Sequence, residues 1–300
     1  MGSDACVRRE GLTVVTDESD LVPLPEDDFR RVRSYLAPHV FASWRIRDPN
    51  ESDLYPPPSD PISKEDWDGF MALPTDVVLK TTSYEGSWTG TVHRLASDWI
   101  DVCPMDPESA PFMHGPSLTA QEEFDAVVFN AVHGYFRQAL GCLRNVLETM
   151  TVAAAMAVTN DAAKFSAWQN GDDEIPMREA RPLLRDGPEG RRIDTAVAPS
   201  SIFGNESTHW VKRRYAELCA YTHGAPGKTN VDFWKSNGPI FVPEALPIVE
   251  AELRETLALA YLLLKIGWSG YSPTDGVGNL LSGPASGWED YRALLATELT

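Results

Sequence analysis

Between Thr119 and Val158 apolar residues return at helical spacing without interruption: Phe124, Val127, Val128, Ala131, Tyr135, Ala139, Leu143, Val146, Met150, Ala153 and Ala157. Thr119 to Glu122 reads TAQE, a capping box that predicts where the helix begins. At ~1.5 Å per residue one straight helix over that span would be ~60 Å long, more than a compact domain of this size accommodates. A bend or break near Gly134 or Gly141 is therefore expected.

Only a narrow stripe of this segment is polar, and it reads His133, Arg137, Gly141, Arg144, Glu148, Thr151, with Asn145 at its border. A surface helix carries a broad face rich in lysines and acids. This stripe has no lysine and one acid. Arg144 and Glu148 stand one turn apart, so the plain expectation is an ion pair lining a helix–helix seam. The functional alternative is a cleft where both meet a residue from another helix.

Further helices are predicted around Trp88–Ile100, Asp161–Gln169, Arg178–Asp186, Asn205–Thr222 and Pro243–Gly267, the last with Pro243 at its first position. Residues 1–84 read as an irregular, proline-rich arm with one short helix from Glu26 to Leu36 and strand-like fragments at Leu12–Val15 and Val77–Leu79. Residues 85–268 form the helical bundle. Residues 269–300 are a Gly/Ser/Pro linker leading to a C-terminal helix from Trp288. The fold class is mainly α, a multi-helix bundle with an N-terminal arm.

A chain of 300 residues, 43% of them hydrophobic, can bury a full core. The net charge of −18 repels nucleic acid and anionic membrane in general, so RNA contact would need a local basic patch. One candidate lies between Arg178 and Arg214, where eight basic residues face five acids. Its proposed phosphate-binding members are Arg178, Arg181, Arg185, Lys212, Arg213 and Arg214, although such clusters are commonly solvated, salt-bridged faces. The four cysteines show no metal-ligand spacing, and Cys142 and Cys219 fall on apolar helix faces, the pattern of reduced core thiols. There is no signal peptide at the N-terminus and no apolar run long enough to span a bilayer, so a cytoplasmic, non-membrane protein is expected.

The passage from Asn205 to Pro239 reads NESTHWVKRRYAELCAYTHGAPGKTNVDFWKSNGP. Asn205 is the expected N-cap, and Gly224 with Pro226 ends the helix, which leaves His223 at the negative end of its dipole. THGAPGKT from Thr222 to Thr229 comes close to a phosphate-binding loop. That loop requires a preceding strand and a following helix, and neither pattern is present. Asp172-Asp173-Glu174 reads as a surface turn, and Trp168, Trp210 and Trp234 as core aromatics or, alternatively, a stacking platform. No HExxH, GxSxG or dinucleotide fingerprint occurs, and neither a cofactor nor a metal is called for.

A helix with CLRNVLE, then FSAWQNG, then a helix ending YAELCAYTHG before SNGP, resembles a loose group of bacterial helical proteins. These are distantly similar to the HEPN superfamily of helical bundles, and the likeness covers residues 119–268. It implies an RNA-cleaving or defence-associated effector that works without a metal, with a homodimer among its expected states. Active HEPN nucleases place a histidine four to six positions after their arginine. No histidine follows Arg144-Asn145 at that spacing, so His223 would enter from another helix. On that reading His223 is base or acid, Arg144 clamps the phosphate, Asn145 orients it and Glu148 joins them in the cleft. The competing expectation is a non-catalytic binding or scaffold protein with a buried Arg144–Glu148–His223 network.

Overall fold

The computed structural model describes residues 6–7, 14–15, 64–84, 86–223, 238–285 and 287–300. The chain divides into two compact units, Met1–Gly69 and Phe70–Thr300. In the first unit Cys6–Val7 (β1) pairs antiparallel with Val14–Val15 (β2). The Glu26–Leu36 helix, the Pro56–Pro58 run, Gly224, Pro226, the THGAPGKT match and Trp234 lie wholly or largely outside the described residues.

Eleven α-helices lie among the described residues, and the protein is a mainly α multi-helix bundle. They are α1 Lys64–Tyr84, α2 Gly86–Ser97, α3 His114–Val132, α4 Phe136–Thr159, α5 Ala162–Gln169, α6 Met177–Asp186, α7 Pro188–Ala196, α8 Trp210–Thr222, α9 Ala245–Gly267, α10 Asp275–Ser282 and α11 Arg292–Glu298. None is long and apolar enough to cross a membrane.

The long apolar series is two helices. α3 ends at Val132, Gly134 takes φ +78°, and α4 restarts at Phe136. Ile240 N–H donates to the Gly134 carbonyl at 3.4 Å, and a Cβ on residue 134 would run into the Ile240 backbone. Glycine alone meets both conditions. The break expected near Gly134 or Gly141 is at Gly134. The start differs: α3 begins at His114, five residues before the capping box, because Pro116 falls in the first turn, where its missing N–H costs nothing.

α4 is the axle of the bundle, packed against α3, α6, α8 and α9. Leu140, Leu143, Leu147 and Met150 are fully buried, and from Val152 to Met156 successive residues are buried on every side. α9 is buried through Leu253–Leu264. Trp99 packs edge-on to Phe124 at 5.5 Å and to Tyr261 at 5.1 Å, while its indole N–H donates to the Ser117 carbonyl at 2.9 Å. Trp88 likewise donates to the Leu246 carbonyl. These bonds let large aromatics be buried with their one polar atom satisfied.

Other helix boundaries differ from the expected ones for identifiable reasons. α8 starts at Trp210 rather than Asn205, because Trp210 and Val211 N–H groups find Ser201 and Ile202 carbonyls and need no side-chain cap. α9 starts at Ala245, with Pro243 in the preceding turn. Ile100 lies in a 3-10 turn and is exposed, unlike the other members of its expected face. Val77–Leu79 lies in α1, which runs through Pro74, so residues 64–84 of the expected irregular arm are helical. α7 and α10 are short helices beyond those expected from the sequence: α7 opens with Pro188 at its first position, and α10 carries Gly276 and Gly278. The helix expected over Asp161–Gln169 runs from Ala162 to Gln169, and Asp161 is its N-cap, accepting from Lys164 N–H.

The C-terminal helix is fastened by charge. The buried Glu298 accepts from Arg192 on α7 and from Lys265 Nζ on α9 at 2.8 Å. The Arg192 hydrogen bonds outweigh the upward push of burial and, with Lys265, hold this carboxyl down at about 2 against an ordinary 4.5. A carboxyl depressed by folding contributes stability that is complete above its unfolded value and lost as pH falls toward the folded one. Stability should therefore decline between about pH 4.5 and 2, and Glu298→Gln should flatten that slope in acid denaturation followed by circular dichroism. An unchanged slope in the variant would remove Glu298 as its source.

Candidate functional site

α4 and α8 run antiparallel. Arg137 near the start of α4 donates through Nε to the Thr222 carbonyl at 3.0 Å, whereas Arg144 two turns on meets Tyr215 and Cys219. Arg144 Nη2 donates to Tyr215 Oη at 2.9 Å, Nε donates to Cys219 Sγ at 3.3 Å, and Nη2 pairs with Glu148 Oε2 at 3.1 Å. Tyr215 O–H in turn donates to Glu148 at 3.4 Å, and the guanidinium lies 5.3 Å from the Tyr215 ring centroid. Burial works against the Arg144 charge, but these partners outweigh it and hold the guanidinium above its ordinary value. Burial also pushes the Tyr215 phenol up. The four groups, each one turn from its helical neighbour, clasp α4 to α8.

Asn145 and His223 stand outside this clasp. Asn145 points the other way and donates to Glu123 on α3 at 3.2 Å. His223 is exposed at the C-cap of α8, its backbone N–H on the Cys219 carbonyl, ~6 Å along the axis from that residue. Its side chain pairs with none of Arg144, Asn145 and Glu148. Of the expected quartet, the fold brings together Arg144 and Glu148, and the polar stripe ends in Thr151, which is fully buried and bonded to the Leu147 carbonyl.

The expected basic patch is shared out among several partners. Arg178 is exposed. Arg181 is buried and donates to Asn205 Oδ1 at 3.2 Å, with its Nε unpartnered, and burial lowers its pKa. Arg185 pairs with Asp186, and Lys212 donates to the Asn205 carbonyl. Arg213 and Arg214 turn toward α9, where carboxylates engage both guanidiniums. Arg213 Nη2 reaches Glu255 Oε1 at 2.7 Å and Arg214 Nη1 reaches Glu255 Oε2 at 2.6 Å. Trp210 Nε1 donates to the same Glu255 at 2.6 Å. Arg214 also pairs with Glu252 and Glu217. Trp210 is therefore core, stacked on Tyr291 at 4.3 Å, and no platform.

The chain matches no protein-family model, no curated protein and no solved structure. What the site can do rests on its own groups. Beside the Arg213–Arg214–Glu255 cluster opens a cleft of about 490 Å³ between α8 and α9, also lined by Glu217, Glu252 and Tyr221. Sequence reasoning missed Glu252 and Glu255. The available signal was their spacing: two acids three apart on the face of α9 that otherwise reads Leu, Ala and Val. Among the described residues no three His, Cys, Asp or Glu side chains converge to hold a metal, and Asp172–Glu174 is an exposed turn.

Proposed function

We propose that this chain is a non-catalytic helical binding or scaffold protein in which Arg144, Glu148 and Tyr215 fix the register of α4 against α8. One observation carries the reading: the Arg144 guanidinium is engaged by Glu148, Tyr215 and Cys219 together, and the His223 side chain is not part of the set. A phosphate clamp needs donors free to face the phosphate, and the Nε and Nη2 donors of Arg144 are committed to Cys219, Tyr215 and Glu148 inside the clasp.

The test pairs stability with activity. Arg144→Ala leaves Glu148 and Tyr215 without their common partner, at a cost of about 1–3 kcal/mol and a melting temperature several degrees lower. His223→Ala should stay within about 0.5 kcal/mol of the parent, as exposed substitutions do. Purified protein incubated with cellular RNA should leave it intact. RNA cleavage that His223→Ala abolishes would overturn the scaffold reading.

A second reading follows the HEPN resemblance. Arg137 bonds the carbonyl of Thr222, the residue just before the exposed His223, which brings a guanidinium to the end of α8. Metal-independent RNA cleavage would centre there, with His223 as base or acid and Arg137 at the same helix end, rather than on Arg144, Asn145 and Glu148. Cleavage lost in His223→Ala but kept in Arg144→Ala is the result that selects it. Cleavage lost in neither variant rejects it.

A further inference from the structure

The cleft between α8 and α9 is a polar cavity in which the charges of the described residues do not balance. Two guanidiniums, Arg213 and Arg214, face three carboxylates, Glu217, Glu252 and Glu255. Glu255 is saturated, with Trp210, Arg213 and Arg214 all donating to it. Glu217 is half in solvent and accepts from Arg214. Glu252 differs. It is 8% exposed, its Oε2 accepts no well-aligned hydrogen bond, and its contact is the Arg214 ion pair at 2.6 Å. That single guanidinium is also shared with Glu217 and Glu255. Burial accordingly pushes the Glu252 carboxyl up, Arg214 drawing it only partly back. A carboxylate so placed is costly unless a further donor reaches it.

Among these charges the lining is small and apolar at Ala216 and Ala220 from α8 and at Ala251 from α9. A volume of about 490 Å³ is within the range of small-molecule sites, in which apolar walls surround a few convergent polar groups. An anion is the wrong partner, because carboxylates already occupy the terminal nitrogens of both arginines. A ligand that suits the cleft brings one positive charge with N–H donors for Glu252 and a short hydrocarbon stem for the alanines.

We propose that this cleft binds a small organic cation, an alkylammonium or alkylguanidinium whose head pairs with Glu252 and whose stem lies along Ala216, Ala220 and Ala251. The site is separate from the Arg144 clasp, and its occupancy does not depend on how that clasp is read. The same head group occurs on free polyamines and on lysine or arginine side chains of peptides. A cleft with Glu252 among its lining groups suits either.

The test is isothermal titration of the full chain with agmatine, spermidine and a blocked arginine-containing tripeptide, with acetate and inorganic phosphate as anionic controls. Saturable one-to-one binding of at least one cationic probe is expected, with a higher melting temperature at saturation. Agmatine or spermidine binding identifies a free amine as the ligand source, and binding of the tripeptide alone identifies a peptide side chain. Glu252→Gln should weaken binding at least tenfold. Ala216→Trp, at an exposed position on the cleft wall, should block binding while leaving the charges and the fold in place, so the proposal stays testable if Glu252→Gln destabilises the protein. No saturable binding of any cation, binding that Ala216→Trp leaves unaltered, or tighter binding of the anions would each overturn it.

Discussion

Glu255→Ala is expected to lower the stability of this protein by about 3–5 kcal/mol, the range for removing one member of a buried charged cluster. The carboxylate is 1% exposed and accepts from three donors, Trp210 Nε1, Arg213 Nη2 and Arg214 Nη1. Its loss leaves the 5% exposed Arg214 with Glu252 and the half-exposed Glu217 as remaining carboxylate partners, and leaves a buried indole N–H with no acceptor. Arginine cannot shed its proton to escape, so the penalty stays electrostatic. Urea denaturation read by circular dichroism measures the loss. Adding Arg214→Leu to Glu255→Leu should recover little of it, because Glu252 then loses its Arg214 ion pair and the Trp210 N–H still lacks its acceptor. A cost below about 1 kcal/mol for the single variant would mean that Glu252 takes over the pairing alone.

Gly134→Ala should be the most damaging single-methyl change in the bundle. The backbone there has φ +78°, a conformation that costs a residue with a Cβ about 1–3 kcal/mol. The added methyl would also meet the Ile240 backbone, which cannot swing aside as a side chain would. The Ile240 N–H bond to Gly134 would then be lost along with the approach that permits it. Gly141→Ala is the internal control, because nothing lies within 4 Å of a Cβ at that helical position. Removing a mid-helix glycine there should gain up to about 1 kcal/mol. Equal thermal stability of the two variants would contradict the assigned role of Gly134.

The bundle was legible in the sequence because its signals are periodic and local. The α3–α4 series, a break at one of its two glycines, the helix from Asp161 to Gln169 and the apolar run of α9 all follow from spacing and from glycine's backbone freedom. Starts of helices were less legible. Asn205 looks like a cap, yet α8 begins at Trp210 because distant carbonyls of Ser201 and Ile202 serve its first donors. The Arg144–Glu148 pair was readable as two charges one turn apart on a single helix. Its link to Tyr215 and Cys219, and the separation of His223 from it, depend on the antiparallel register of α4 and α8, which no local pattern encodes. The same holds for Arg213 and Arg214. They look like a basic surface along the chain and become one side of an ion cluster only once α9 supplies Glu252 and Glu255.

That inward turn of the arginines divides the protein's electrostatics into two regimes. Within the α8–α9 cluster the contact between the 1% exposed Glu255 and the 5% exposed Arg214 is shielded, whereas at physiological ionic strength counterions screen charges that water can surround, over a Debye length of about 8 Å. The chain as a whole carries a net charge of −18, whose mutual repulsion opposes the compact state. Added electrolyte should therefore weaken that repulsion more than it weakens the Arg214–Glu255 attraction. Moderate salt should raise the melting temperature of this chain, even though ion pairs join α8 to α9.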